Sequence, residues 1–462
     1  MRIEEEYKKS GYFWLPGKEE SKIPGILSID NGGKIKLEII GHFNDGPSLL
    51  SNDGLSRIIG HVEKDGLVTL DNCFYITKNI SLGGISKSTV HVNTVFGGAA
   101  WGKEETVTFN TFSFSVDCLD EWVGISGIDV STDWDARAAT INYYPPEEKV
   151  FSLDNGMKLE ICFAYTLPVF PNITEAKITQ RTYFRLSSEE LLNLDDFTTT
   201  AFKITNLMCF AIGEIVSLKN VSATSRELQR GVDNKQYSVP ISIYYQSIPF
   251  SEKMPKKDRR SMLFNFAVIT TSAQQVLNNW LNAYEYLYPA LNLYFSTKTG
   301  AQKYLEGKFL ALAQGLETYH RRTSSETLME PKSFEAVVEK ILCACPEEHV
   351  GWLQGRLMHG NEINLGKRLK RIIEPFKKHL GTSAERNKML KKIVDTRNYL
   401  THYNEDLKDT AAKEGDLWGL CAKMESIFNL HFLKVIGFTE EEIDWVVKNS
   451  FPLKQKLQGA NM

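Results

Sequence analysis

The sequence predicts an α+β chain in which a β-rich N-terminal region of sandwich or barrel-like architecture precedes an all-α helical bundle. Three observations carry that expectation. Short apolar runs alternating with polar residues, separated by turn residues, fill residues 1–255. Apolar residues at helical spacing dominate from about residue 263 to the end. Between them lies a polar, basic connection, Met254-Pro255-Lys256-Lys257-Asp258-Arg259-Arg260. The expected division is a β-rich domain over 1–255, a helical connector over 256–298 and a helical domain over 299–462.

In the first region, strands are expected at Phe13-Trp14-Leu15-Pro16, Gly25-Ile26-Leu27-Ser28-Ile29, Lys34-Ile35-Lys36-Leu37-Glu38-Ile39-Ile40 and Leu67-Val68-Thr69-Leu70. Asp30-Asn31-Gly32-Gly33 reads as a hairpin turn, since glycine accepts the positive φ that tight turns require. Residues 90–96 and 106–116 continue the alternation, and 158–165 and 177–185 are the clearest strands of a second β-rich stretch. Ser187-x-x-Glu190 has the spacing of a capping box and predicts a helix through about Phe210, with Leu191, Leu194, Phe197, Phe202 and Ile204 on its apolar face. Strand character returns over 237–245.

In the helical region, Trp280, Tyr284, Leu287, Tyr288, Leu291 and Phe295 recur as core positions, and Gly300 separates that helix from one carrying Leu305, Phe309, Leu312 and Leu316. Residues 365–380 form a basic amphipathic helix interrupted at Pro375. Thr382-x-x-Glu385 caps the next helix, whose buried stripe is Met389, Leu390, Ile393, Val394 and Leu400, and Asn404-Glu405-Asp406 ends it behind His402. Helices over 418–435 and 440–447 complete the bundle, and the tail from Lys454 is expected to fray.

The composition, 42% hydrophobic and 24% charged over 462 residues, belongs to a soluble globular chain of two or three domains. A start rich in charge, Met1-Arg2-Ile3-Glu4-Glu5-Glu6, does not read as a secretory signal, and no apolar run is long enough to cross a membrane, so the expected location is cytoplasmic. Seven scattered cysteines suit reduced thiols. Cys343, Cys345, His349 and His359 have zinc-type donors, but not a common structural-zinc spacing, and read as ordinary side chains; no metal or cofactor is expected.

Net charge is −3, unevenly shared. From residue 297 onward 26 Lys and Arg stand against 22 Asp and Glu, giving +4, whereas the first 296 residues carry −7. Between residues 367 and 392, ten basic residues, among them Lys367, Arg368, Arg371, Lys391 and Lys392, face only Glu374 and Glu385. Such a run is either a solvated helix face or a surface for a phosphate backbone.

The chemical lead is Arg397-Asn398-Tyr399-Leu400-Thr401-His402-Tyr403. Of the nine histidines, only His402 has an arginine five to seven residues upstream. An arginine holds a phosphate, and a neutral histidine can take a proton from a hydroxyl. In RNA cleavage the ribose 2′-hydroxyl is itself the nucleophile, so neither a protein nucleophile nor a metal is required. Residues five apart on a helix point about 140° from one another, so Arg397 reaches the His402 side only if the helix frays or a second helix or chain completes the site. Taken alone, the pair reads equally as a surface arginine and a histidine capping a helix C-terminus.

Arg397-Asn398-x-x-x-His402 resembles the signature of HEPN-domain ribonucleases, an arginine and a histidine with four to six residues between them. Residues 308–321 resemble the first core helix of the ApeA-like HEPN branch, and residues 11–16 with 23–27 resemble the start of the ApeA N-terminal domain. The resemblance implies a metal-independent endoribonuclease of bacterial anti-phage defence, in which RNA cleavage, tRNA included, halts the growth of infected cells. His402 would act as general base and acid, Arg397 would bind the scissile phosphate, and Asn398 would position a partner or the phosphate. Tyr403 would add a contact, and Glu317 would face the motif from an early helix to hold Arg397 or orient His402. Lys367, Arg368, Arg371, Lys391 and Lys392 would bind RNA, and two copies would pair. The β-rich domain would sense a phage-derived trigger. The competing class is a non-catalytic dimeric interaction protein whose β-rich region binds a protein or carbohydrate.

Overall fold

A computed structural model describes residues 1–43, 54–81, 83–168, 173–232 and 235–458. Its first six strands are β1 (Tyr7–Trp14), β2 (Ile23–Asp30), β3 (Lys34–Ile40), β4 (Leu55–Val62), β5 (Gly66–Asn79) and β6 (Lys87–Gly97). They pair antiparallel in the order β6-β3-β2-β1-β4-β5, and β5 pairs with β6 again, which closes a six-stranded barrel. Alternation decides which side chains enter: in β3, Ile35, Leu37 and Ile39 point into the barrel while Lys34, Glu38 and Ile40 face out. Phe13, Leu27, Ile58, Val68, Leu70, Val90 and Val92 fill the remaining interior, which is a packed core. The β2–β3 hairpin turns at Gly32 and Gly33 as expected. A side chain at Gly33 would strike the carbonyl oxygen of Tyr245, so both its positive φ and its neighbour require glycine.

The sheet continues outward from β6. Strand β7 (Thr108–Val116) is followed by the short helix α1 (Leu119–Val123), by the two-stranded ribbon β8 (Ile128–Asp133) and β9 (Ala138–Tyr143), and by β10 (Lys149–Ser152), β11 (Lys158–Thr166) and β12 (Thr179–Asn193). After helix α2 (Leu194–Ile212) come β13 (Leu218–Thr224), a second ribbon of β14 (Gln229–Val232) and β15 (Lys235–Ser238), and β16 (Ile241–Tyr245). The order β10-β11-β12-β7-β13-β16-β6 joins this extension to the barrel in one twelve-stranded sheet.

The helix expected from Ser187 onward begins later. Ser187 and Glu190 lie in β12, which pairs with β7 at Ser187 and Thr111, bulges, and pairs again at Leu192 and Phe109. Ser188 Oγ accepts the Glu190 N–H within the bulge, so the local hydrogen bonding that a capping box needs is spent inside a strand. The helix starts at Leu194, where Asp195 and Asp196 meet the positive end of its dipole. It lies against the sheet through Phe197, stacked on Phe112 at 5.9 Å.

Helices α3 (Phe266–Ile269) and α4 (Ala273–Ser296) follow. The chain forms two compact units, Met1–Leu281 and Asn282–Met462, so the division falls within α4 and within the expected 256–298 connector. In the first unit, Trp280 is fully buried, stacks on Phe210 and donates to the Lys203 carbonyl at 2.7 Å. Gln274 and Asn278 bond the backbone N–H and C=O of Ser152 and so cap the outer edge of β10.

The second unit holds the rest of α4, then α5 (Leu305–Thr323), α6 (Pro331–Cys343), α7 (Val350–Leu357), α8 (Leu365–Ile373), α9 (Ser383–His402), α10 (Glu414–Val435), α11 (Glu440–Asn449) and α12 (Phe451–Gln458). Helix α10 is central: Phe428 and Phe432 pack on Tyr294, and Gly315 of α5 lets the Phe428 ring approach where a methyl group would meet it at 2.9 Å. Of the six expected core positions over 280–295, Tyr288 is 52% exposed; the other five are buried. The tail is helical through Gln458, because Leu453 and Leu457 are buried and Lys456 pairs with Glu425. Residues 459–462 lie outside the described residues. Neither α6 nor α7 has a fully buried side chain.

Candidate active site

Helix α9 is fixed at both ends. Thr382 and Glu385 form the expected reciprocal capping box at its start. At its end Tyr403 takes the left-handed conformation, φ 50°, and returns its N–H to the Tyr399 carbonyl at 2.6 Å. The helix is therefore continuous through His402, and Arg397 and His402 keep the angular separation of about 140° that their spacing dictates. Its buried face is Met389, Leu390, Ile393 and Thr396; Val394 and Leu400 are only half-buried. The Thr396 hydroxyl accepts the Ala412 N–H at 2.8 Å, which clips the chain beyond the site back onto the helix. Asn404 caps the short 3₁₀ turn Glu405–Leu407 between the two.

Arg397 is half-buried and its Nη1 donates to Asn398 Oδ1 at 3.2 Å. Among the described residues no carboxylate pairs with it. His402 and Tyr403 are exposed, and Tyr403 meets Tyr399 edge-on at 5.7 Å. Asn398 and His402 are four residues apart and share a helix face, so the asparagine links the guanidinium to the histidine side. An arginine that faces a neutral amide keeps its full charge for an incoming anion, and an open imidazole can exchange protons with a ligand.

Other candidates lie elsewhere. Glu317 on α5 is held by its neighbour Arg321, with Nε and Nη2 at 3.2 and 3.0 Å, and makes no bond to Arg397 or His402. Arg368 does not join a basic surface. It is only 4% exposed, because the periodicity of α8 places it on the face of Leu369, Ile372 and Ile373. There it lies 3.3 Å from His320 Nδ1 and 3.6 Å from Glu362. Burial and the adjacent Arg368 charge push the His320 pKa down, which suits an imidazole accepting from a guanidinium. Arg371 is exposed but forked onto Glu326 at 2.8–3.1 Å, and Lys392 lies 3.9 Å from Asp416. Lys367 and Lys391 remain exposed.

Among the described residues, Glu148, Glu160 and Cys162 bring three donor atoms within 4.8 Å of one another. They do not suit a metal: Arg185 Nη1 lies 3.0 Å from Glu160 and 3.7 Å from Glu148, and burial pushes the Cys162 thiol up to about 12. Cys343 is exposed at the end of α6, while His359 bonds Glu362. Sequence reading missed Glu425, a carboxylate buried in α10 and met by Lys298, Lys308 and Lys456. Its signal was a charged residue inside the apolar series Leu417, Leu420, Cys421, Met424 and Phe428.

Residues 8–280 match the family model described as ApeA N-terminal domain 1, and residues 310–442 match the one described as Apea-like HEPN. The chain belongs to the ApeA family. The first match runs from β1 through β16 and ends one residue before the division between the two units; the second runs from α5 into α11 and contains Arg397, Asn398 and His402. HEPN membership supports a nuclease role in defence. Searches of curated proteins and of solved structures returned no match. No described helix is long and apolar enough to cross a membrane.

Proposed function

We propose that this ApeA-family chain is a metal-independent endoribonuclease of anti-phage defence. One observation carries the reading: at the end of α9, Arg397 is bonded to the neutral Asn398, free of any described carboxylate, and His402, on the same helix face as Asn398, is exposed. Neutral His402 removes the proton from a ribose 2′-hydroxyl and, once protonated, returns it to the departing 5′-oxygen. Arg397 neutralises charge on the pentacoordinate phosphorus, and Asn398 holds the guanidinium in place. The products are a 2′,3′-cyclic phosphate and a 5′-hydroxyl. Because α9 stays helical through His402, the arginine of one copy is best aligned with the histidine of another, and the active form is a homodimer. The β-rich domain responds to a phage-derived trigger, and tRNA is the RNA whose loss arrests growth most directly.

The test is incubation of wild-type and His402→Ala protein with total cellular RNA in EDTA, with and without phage lysate, followed by mapping of cut ends. Discrete cuts by wild type alone, ending in 2′,3′-cyclic phosphate or its hydrolysis product, are expected. Equal cleavage by the variant, or silence of wild type in both conditions, overturns the assignment and leaves the β-rich domain as a binding module.

A further inference from the structure

Four helical segments distant in sequence meet at one carboxylate. Glu425 on α10 is 3% exposed. Its Oε2 accepts from Lys298 Nζ at 2.7 Å and from Lys456 Nζ at 2.9 Å, and its Oε1 lies 2.7 Å from Lys308 Nζ. These lysines follow α4 and lie in α12 and α5 respectively. Among the described residues none of the three amines has a second carboxylate within ion-pair distance. Three ammonium groups against one carboxylate leave two uncompensated positive charges in a partly desolvated place. Burial, only partly offset by Glu425, lowers the Lys298 pKa to about 8, with Lys456 and Lys308 adding repulsion. A purely structural pair would need one lysine here.

The amines are also open to solvent. The lysine side chains are 22%, 28% and 33% exposed while the carboxylate is buried, so the acid lies beneath a rim of amines that opens to solvent. Each ammonium carries three donors; Lys298 and Lys456 each spend one on Glu425, and Lys308 meets it as an ion pair. We propose that this lysine rim is a binding site for a phosphate monoester dianion. Two residual charges match the charge of a terminal phosphate and exceed that of a phosphodiester, so the site discriminates against the interior of an RNA strand and is independent of the α9 chemistry.

Isothermal titration of the full-length protein at pH 7 with inorganic phosphate, AMP and dimethyl phosphate tests this. Phosphate and AMP are expected to bind at least tenfold more tightly than dimethyl phosphate. Lys456→Met and Lys308→Met should each weaken binding at least tenfold, and Lys456→Arg and the control Lys18→Met in the first unit should keep it within threefold. Equal affinity for phosphate and AMP supports a site for free phosphate; tenfold preference for AMP supports a nucleotide. Absence of binding by wild type, or dimethyl phosphate binding as well as phosphate, overturns the proposal without reference to how the variants fold. Unchanged affinity in folded Lys456→Met, checked by circular dichroism, also overturns it.

Discussion

Helices α8 and α9 are both basic and lie side by side in sequence, yet the arginines Arg368 and Arg371 on the first and Arg397 on the second have opposite fates. On α8, Arg368 is buried against His320 and Glu362, and Arg371 is forked onto Glu326. On α9, Arg397 meets only an amide and His402 stands open. The number of positive charges is therefore a poor guide to a site. What matters is whether a protein carboxylate has already taken the charge, since a guanidinium bonded to one has spent much of its attraction for phosphate.

The strongest way to break this contrast is at α9. His402→Ala and Arg397→Ala are each expected to lower RNA cleavage by roughly 10²–10⁴-fold, as loss of an acid–base or charge-stabilising group does. Melting temperature should stay near the parent value, because among the described residues Asn398 is the one side-chain hydrogen-bond partner of these two groups. A large loss of stability would instead make α9 a structural helix like its neighbour.

Arg368→Ala tests the opposite case. Removing the buried guanidinium leaves His320 Nδ1 without its donor, while Glu362 keeps Arg321 and His359, and should cost about 2 kcal/mol in urea unfolding, with cleavage per folded molecule unchanged. Lost cleavage at full stability would move α8 into the active surface.

A pH experiment sharpens the structural role of α8. Buried His431 lies 2.9 Å from the Ile372 carbonyl, and burial lowers its pKa to about 4. Between that value and about 6.5 the unfolded chain binds a proton that the folded one refuses, so stability rises with pH across the window. The contribution is fully present above pH 6.5 and amounts to about 3 kcal/mol, lost progressively on acidification toward pH 4. Urea midpoints at pH 7 and 4.5 should therefore differ less in His431→Gln than in wild type.

The smallest effect separates Lys391 from Arg371. By fluorescence anisotropy on single-stranded RNA, Lys391→Ala should reduce the log–log salt slope by about 0.7, the value for one phosphate contact. Arg371→Ala should reduce it by less, its fork being engaged with Glu326. Equal changes would show that the Glu326 pair yields readily to phosphate.

Much of this arrangement was legible wherever one short stretch determines the outcome. The alternation in β3, the glycine hairpin after it, the Thr382 capping box and the helix end at His402 all follow from local pattern. Ser187-x-x-Glu190 has the same local form as Thr382-x-x-Glu385, yet pairing with β7 carries it into a strand. Arg368 could be assigned to solvent or core only once the neighbours of α8 were known, and Glu425 needed four separated segments to explain its burial. Thr396, not Leu400, completes the buried face of α9 because the returning chain at Ala412 supplies its partner. The polar core thus depends on contacts between residues far apart in sequence, which periodicity does not encode.

The twelve-stranded sheet has almost nowhere to grow. One end is sealed by β5 joining β6, and the other, β10, has its outward backbone groups at Ser152 taken by Gln274 and Asn278. Templated addition of a strand from another molecule, the first step toward cross-β fibres, finds little backbone to pair with.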